Sequence, residues 1–95
     1  MNKYESIYIL SPTMEEEAIK AMIERFSNLI VAEGGEVEKI DEWGKRRLAY
    51  PIDDFKEGYY ILMHFSAESD VPQELERNYK ITDDIIRYMT VRMED

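Results

Sequence analysis

The chain has 95 residues, with 21 Asp and Glu against 12 Lys and Arg for a net charge of −9, and no cysteine. That length holds one domain, residues 1–95, large enough for a two-layer core but not for a second domain. The composition excludes disulfides, thiolate metal sites and thiol catalysis, fits a reducing compartment, and disfavours free, nonspecific nucleic-acid binding because phosphate repels so acidic a surface.

Met1-Asn2-Lys3-Tyr4 lacks the apolar run of a signal peptide, and no later stretch is long enough to span a membrane, so a soluble cytoplasmic protein with no membrane partner is expected. Tyr4 to Leu10 is aromatic and β-branched and ends at Ser11-Pro12, which predicts a strand running into a turn. Thr13, with Glu16 three residues on, matches a capping box, and Glu15, Glu16 and Glu17 put negative charge where the dipole of a following helix favours it. Ile19, Met22, Ile23, Phe26, Leu29 and Ile30 then recur at the helical period, until Gly34-Gly35 ends the helix. Glu36 to Ile52 reads as a long, charged, extended stretch in which a bulge at Gly44 would switch the face on which side chains lie. Asp53 to Gly58 reads as a turn, and Tyr59 to Phe65, almost wholly apolar, as a central strand. A second helix starts near Ser69-Asp70, carries Pro72 in its first turn and aligns Val71, Leu75 and Tyr79 on one face. Ile85 to Arg92 closes the chain as a strand.

The order strand–helix–strand–strand–helix–strand predicts an α+β, ferredoxin-like βαββαβ fold: a four-stranded antiparallel sheet with both helices packed on one face. The other face should be polar, yet strand alternation leaves Ile7, Ile9, Leu62, Met89 and Val91 on it. These five are expected to form an apolar patch that a protein partner covers. The alternative is the ordinary scatter of exposed apolar side chains.

Catalytic patterns are scarce. The carboxylates fall mostly on helix faces and turns, where solvation is the default. His64 is the only histidine and lacks a relay pattern. Asp41-Glu42, Asp53-Asp54 and Asp83-Asp84 sit in no calcium-type loop, and the four glycines form no phosphate-cradling loop. No enzyme, metal or cofactor is expected. The start of the third strand, Gly58-Tyr59-Tyr60, has the outline of an RNA-recognition motif, but Glu57 stands where that motif has a cation and Ile61 where it has its second stacking aromatic. An acylphosphatase-like reading lacks an arginine in Ser11-Pro12-Thr13 to hold phosphate. A protein-interaction or small-ligand module on the same fold remains the alternative function.

Against the acidic background, Trp43 to Ile52 (WGKRRLAYPI) holds Lys45, Arg46 and Arg47 in succession and no acid. From charge alone this is a solvated hairpin or a local phosphate grip. The segment, followed by Gly58-Tyr59-Tyr60, resembles the signature of the family of protein six of the bacterial small ribosomal subunit, and Tyr4-Glu5, Gly34-Gly35 and Asp84-Ile85-Ile86-Arg87-Tyr88-Met89 extend the resemblance along nearly the whole chain. The resemblance implies a non-enzymatic protein that binds the central domain of small-subunit ribosomal RNA as a heterodimer with small-subunit protein eighteen, a small basic protein. It assigns RNA contact first to Arg46 and Arg47, then to Lys45, Tyr50, Arg87 and Arg92. Duller roles stand beside these: Trp43 packing along the hairpin, Tyr50-Pro51 ending a strand, and Arg87 and Arg92 pairing with Asp83 and Asp84. The chain stops at Met93-Glu94-Asp95, so no function of an extended tail carries over.

Overall fold

The alternating and helical patterns become six elements in a computed structural model that describes residues 1–52 and 54–93. They are β1 (Asn2–Leu10), α1 (Glu16–Ala32), β2 (Glu36–Ile52), β3 (Phe55–Ala67), α2 (Val71–Lys80) and β4 (Ile85–Arg92). All strand pairs are antiparallel and the sheet order is β2-β3-β1-β4, which is the ferredoxin-like arrangement the element order predicts.

One sheet face meets both helices. Tyr4, Tyr8 and Leu10 of β1 and Ile61, Met63, Phe65 and Ala67 of β3 are buried against Ile19, Phe26 and Ile30 of α1 and Val71, Leu75 and Tyr79 of α2. At the centre the rings of Tyr8, Phe26 and Tyr79 form a triangle with centroid separations of 5.4, 5.0 and 4.7 Å. Ser6 is buried beside them. Its hydroxyl lies 2.8 Å from the Tyr79 hydroxyl and 2.9 Å from that of Thr90, so three polar groups are satisfied together. The buried Tyr8 hydroxyl has no such partner among the described residues, and its burial, reinforced by Glu42, raises its pKa and keeps it neutral. Tyr8→Phe removes an unpaired polar atom at constant ring packing. Urea unfolding should therefore show unchanged stability or a gain of about 1 kcal/mol; a loss of that size would mean the hydroxyl has a partner.

Helix boundaries depart from the sequence expectation at one end. The capping box of Thr13 and Glu16 does not form: α1 begins at Glu16, its N-cap is Glu15, and no side chain caps it. Pro12 occupies the second position of a turn closed by the Met14 amide donating to the Ser11 carbonyl at 3.3 Å, which delays helix entry. The Thr13 hydroxyl is instead 2.8 Å from that of Ser11. Glu16 and Glu17 remain in the first turn, where the dipole favours them. At the other end Gly34 adopts φ 85°. The Gly34 amide donates to Val31 and that of Gly35 to Ile30, the paired bonds of a Schellman motif. In α2 the predicted face of Val71, Leu75 and Tyr79 is buried, Pro72 lies in the first turn, and the Thr82 hydroxyl caps the Asn78 carbonyl at 2.7 Å.

The strands run longer than predicted at both ends of the sheet. β1 starts at Asn2, since Lys3 pairs with Ser66. The turn expected over 53–58 contracts, because β3 starts at Phe55 and Glu57 and Gly58 pair with Arg47 and Arg46 of β2. Asp54 takes a left-handed conformation, φ 68°, which a short polar side chain tolerates. Asp53, Glu94 and Asp95 lie outside the described residues.

Candidate nucleic-acid and protein interface

The sheet face away from the helices is organised by a bulge. In β2, Asp41 pairs with Leu62 and Glu42 with Ile61, but Gly44 pairs with Tyr60, so Trp43 and Gly44 both lie opposite one residue of β3. Gly44 has φ 80°, open to glycine at no steric cost. The extra residue changes the face of the side chains that follow it, up to a second register slip after Arg47. Without it Lys45 and Arg47 would continue on the open face; with it Arg46, paired with Gly58, lies there and Lys45 and Arg47 turn to the other side. The three cations therefore do not form one strip.

The bulge also brings the Trp43 indole beside the Tyr60 ring, with centroids 6.2 Å apart and planes 16° from parallel. The Arg46 Nε–H donates to the Trp43 carbonyl at 3.2 Å, and these three side chains line an open hollow. Gly58, next along β3, leaves no room for a Cβ, since Ile9 Cγ2 fills that space. Base stacking on Tyr59 and Ile61, the positions an RNA-recognition motif would use, is closed off: Ile61 is fully buried, and Tyr59 packs on the core and donates to Glu42 at 3.0 Å. The open-face aromatic is Tyr60. Strand alternation placed it there, but only the bulge supplies its neighbour.

Register aligns the five apolar candidates. Ile7 pairs with Leu62 on one side and Met89 on the other, Ile9 pairs with Tyr60 and Arg87, and Glu5 pairs with His64 and Val91. Within this grid Ile9 and Leu62 are only 5% and 8% exposed, whereas Met89 and Val91 are 57% and 44% exposed and Ile7 is half-buried. The accessible apolar surface is thus narrower than the sequence implies and lies toward β4. A hollow of about 220 Å³ opens there, lined by Ile7, Ile9, Tyr60, Arg87, Tyr88 and Met89. Farther from the hairpin the face becomes polar, with His64 Nε2 and Glu5 Oε2 3.2 Å apart and Lys39 and Asp41 3.2 Å apart.

The candidate RNA-contacting residues separate into groups. Arg87 lies on the open face at the hairpin end, in the row Tyr60–Ile9–Arg87. Arg92 pairs with Tyr4 at the far end, on the opposite side, and donates to Asn2 Oδ1 at 3.0 Å. Neither pairs with Asp83 or Asp84; the ion pairs among the described residues lie elsewhere. Between Arg47 and Ile52 the register slips so that Leu48 to Pro51 lie opposite Lys56. Leu48 turns inward there and Tyr50 stands 77% exposed. Arg47, Leu48, Ala49, Pro51 and Lys56 line a third hollow of about 200 Å³. Lys56, which the sequence alone assigns to a turn, is a further cation of this surface, carried there by the early start of β3. Among the described residues each of the three hollows is lined by an arginine and by no acid, on a chain with 21 acids.

Comparison with known proteins gives a consistent neighbourhood. A family model described as Ribosomal protein S6 matches residues 3–92. The chain is 56% identical over 95 residues to small ribosomal subunit protein bS6 of Caldanaerobacter subterraneus, and 57% identical over 95 residues to that of Thermoanaerobacter pseudethanolicus; each alignment covers 100% of both chains. The crystal structure of 30S ribosomal protein S6 from Thermotoga maritima superposes with a TM-score of 0.92 at 35% identity, covering 97% of this chain and 87% of that one.

Proposed function

The chain belongs to the ribosomal protein S6 family, and from that premise we propose that it binds the central domain of small-subunit ribosomal RNA jointly with small-subunit protein eighteen and supports assembly of the subunit. It is a constituent of the small subunit of the cytoplasmic ribosome and not an enzyme. The observation that carries the finer reading is the charge of the three hollows, each lined by an arginine and, among the described residues, by no acid.

An acidic chain approaching RNA meets long-range repulsion, which a few arginines offset only at contact. A basic partner seated on the accessible apolar strip of Ile7, Met89 and Val91 would neutralise that field. It would also join two weak RNA surfaces into one, so that the second contact forms at high effective concentration. Arg46 on the open face and Arg47 on the other side, with Lys56 beside Arg47 at the third hollow, then grip phosphate from the hairpin in charge-assisted and bidentate bonds. Arg87 contributes from the same open face, at the far end of the row that runs from Gly44 through Tyr60 and Ile9. No bond is made or broken.

A mobility shift of central-domain RNA over a salt series, with and without protein eighteen, tests this. The expected result is weak binding by either protein alone and cooperative binding by the pair, lost steeply as salt rises. Tight binding by this chain alone would overturn the assisted mechanism.

A further inference from the structure

The aromatic pair beside Arg46 has a geometry that phosphate contact does not require. Trp43 is 41% exposed, although it is the largest apolar side chain in the protein, and with Tyr60 and Arg46 it lines an open hollow. The two rings are nearly parallel. Arg46 is held at their edge by the bond from Nε to the Trp43 carbonyl, which uses one of five guanidinium donors and leaves four for a ligand.

Flat exposed π-faces select flat ligands, and a guanidinium beside them selects an anion. A nucleotide is both. The charge of the hollow decides against a basic peptide segment, because among the described residues the one charged group lining it is a cation. Its placement agrees with this. The bulge that aligns the rings also turns Arg46 onto the same face, so stacking surface and phosphate donor arise from one feature of the backbone.

We propose that this hollow holds one unpaired nucleotide of the bound RNA, its base stacked on the Trp43–Tyr60 platform and its phosphate on Arg46. The proposal rests on the RNA-binding function above and adds a site to it.

Trp43 is the only tryptophan of the chain, so its emission, taken as the difference between the wild-type and Trp43→Phe complexes with protein eighteen, reports the hollow directly. Adding central-domain RNA should quench that emission. Trp43→Ala should weaken RNA binding by the complex about 10- to 100-fold, the loss of one base–aromatic stack, and Trp43→Phe, which keeps a stacking face, should recover most of it. Affinity for protein eighteen and melting temperature should stay near wild type in the Ala variant. Wild-type RNA affinity in Trp43→Ala, or a loss confined to protein eighteen, would overturn the nucleotide site. The double variant Arg46→Glu/Arg47→Glu separates the two levels. If it binds RNA poorly while the Trp43 variants bind normally, only the nucleotide site falls; if it too binds normally, the RNA-binding function falls with it.

Discussion

Reversing charge at Arg46 and Arg47 together is expected to weaken binding of central-domain RNA, in the presence of protein eighteen, by on the order of 10²-fold or more. Hydrogen bonds to charged groups contribute about 1.5–3 kcal/mol each, and the new carboxylates add repulsion where attraction was. The two side chains lie on opposite sides of the hairpin, because consecutive strand residues alternate between faces, and the bulge at Trp43 and Gly44 sets Arg46 on the open one. Each single reversal should therefore produce a separate loss, and the two losses should add to a good approximation. The slope of log affinity against log salt should become shallower by roughly 0.7–0.9 for each phosphate contact removed. Stability should hardly change, since both side chains are exposed and exposed substitutions typically shift it by about 0.5 kcal/mol or less. An unchanged affinity at moderate salt, with the fold intact by circular dichroism, would remove both residues from the interface.

Phe26→Ala is expected to have the largest effect on stability, about 3–5 kcal/mol in urea unfolding. That is a large part of the roughly 5–15 kcal/mol that holds a domain of this kind together. Phe26 is fully buried and touches both Tyr8 and Tyr79, so its removal opens a cavity where β1, α1 and α2 meet. The neighbouring rings cannot collapse into the space without loss elsewhere. Tyr79 is tied through its hydroxyl to Ser6, and Tyr8 packs against Tyr79 in a tilted arrangement with centroids 5.0 Å apart. A loss below about 1.5 kcal/mol would show that the core repacks more freely than this network implies.

For every element but β2, the face toward the core is legible from period alone. Ile19, Phe26 and Ile30, and then Val71, Leu75 and Tyr79, are buried where helical spacing put them, and β2 and β4 have the predicted bounds. Strand alternation likewise separated Tyr4, Ser6, Tyr8 and Leu10 from Ile7 and Ile9. The helix start was misread because the Thr13–Glu16 spacing is a local pattern, and Pro12 favours a competing turn that uses the same residues. The turn over 53–58 was misread because Lys56, Glu57 and Gly58 have weak strand preference and are held extended by pairing with β2.

The candidate site divides along the same line. By itself the sequence determined the fold, the place of the basic decapeptide in it and the family, because apolar period, turn residues and a dense local signature are all written within a few residues of one another. Only the tertiary structure decided which of the three cations shares a face with Tyr60, that Ile9 and Leu62 are already covered, and that Arg87 joins the hairpin end while Arg92 lies at the far one. Those outcomes depend on register between strands distant in sequence. The sequence marks Gly44 as the place where a bulge would switch faces, and the bulge is there. Yet the side on which Lys45, Arg46 and Arg47 then lie, and the second slip between Arg47 and Ile52, are set by pairing with β3 and not by any count of residues along the chain.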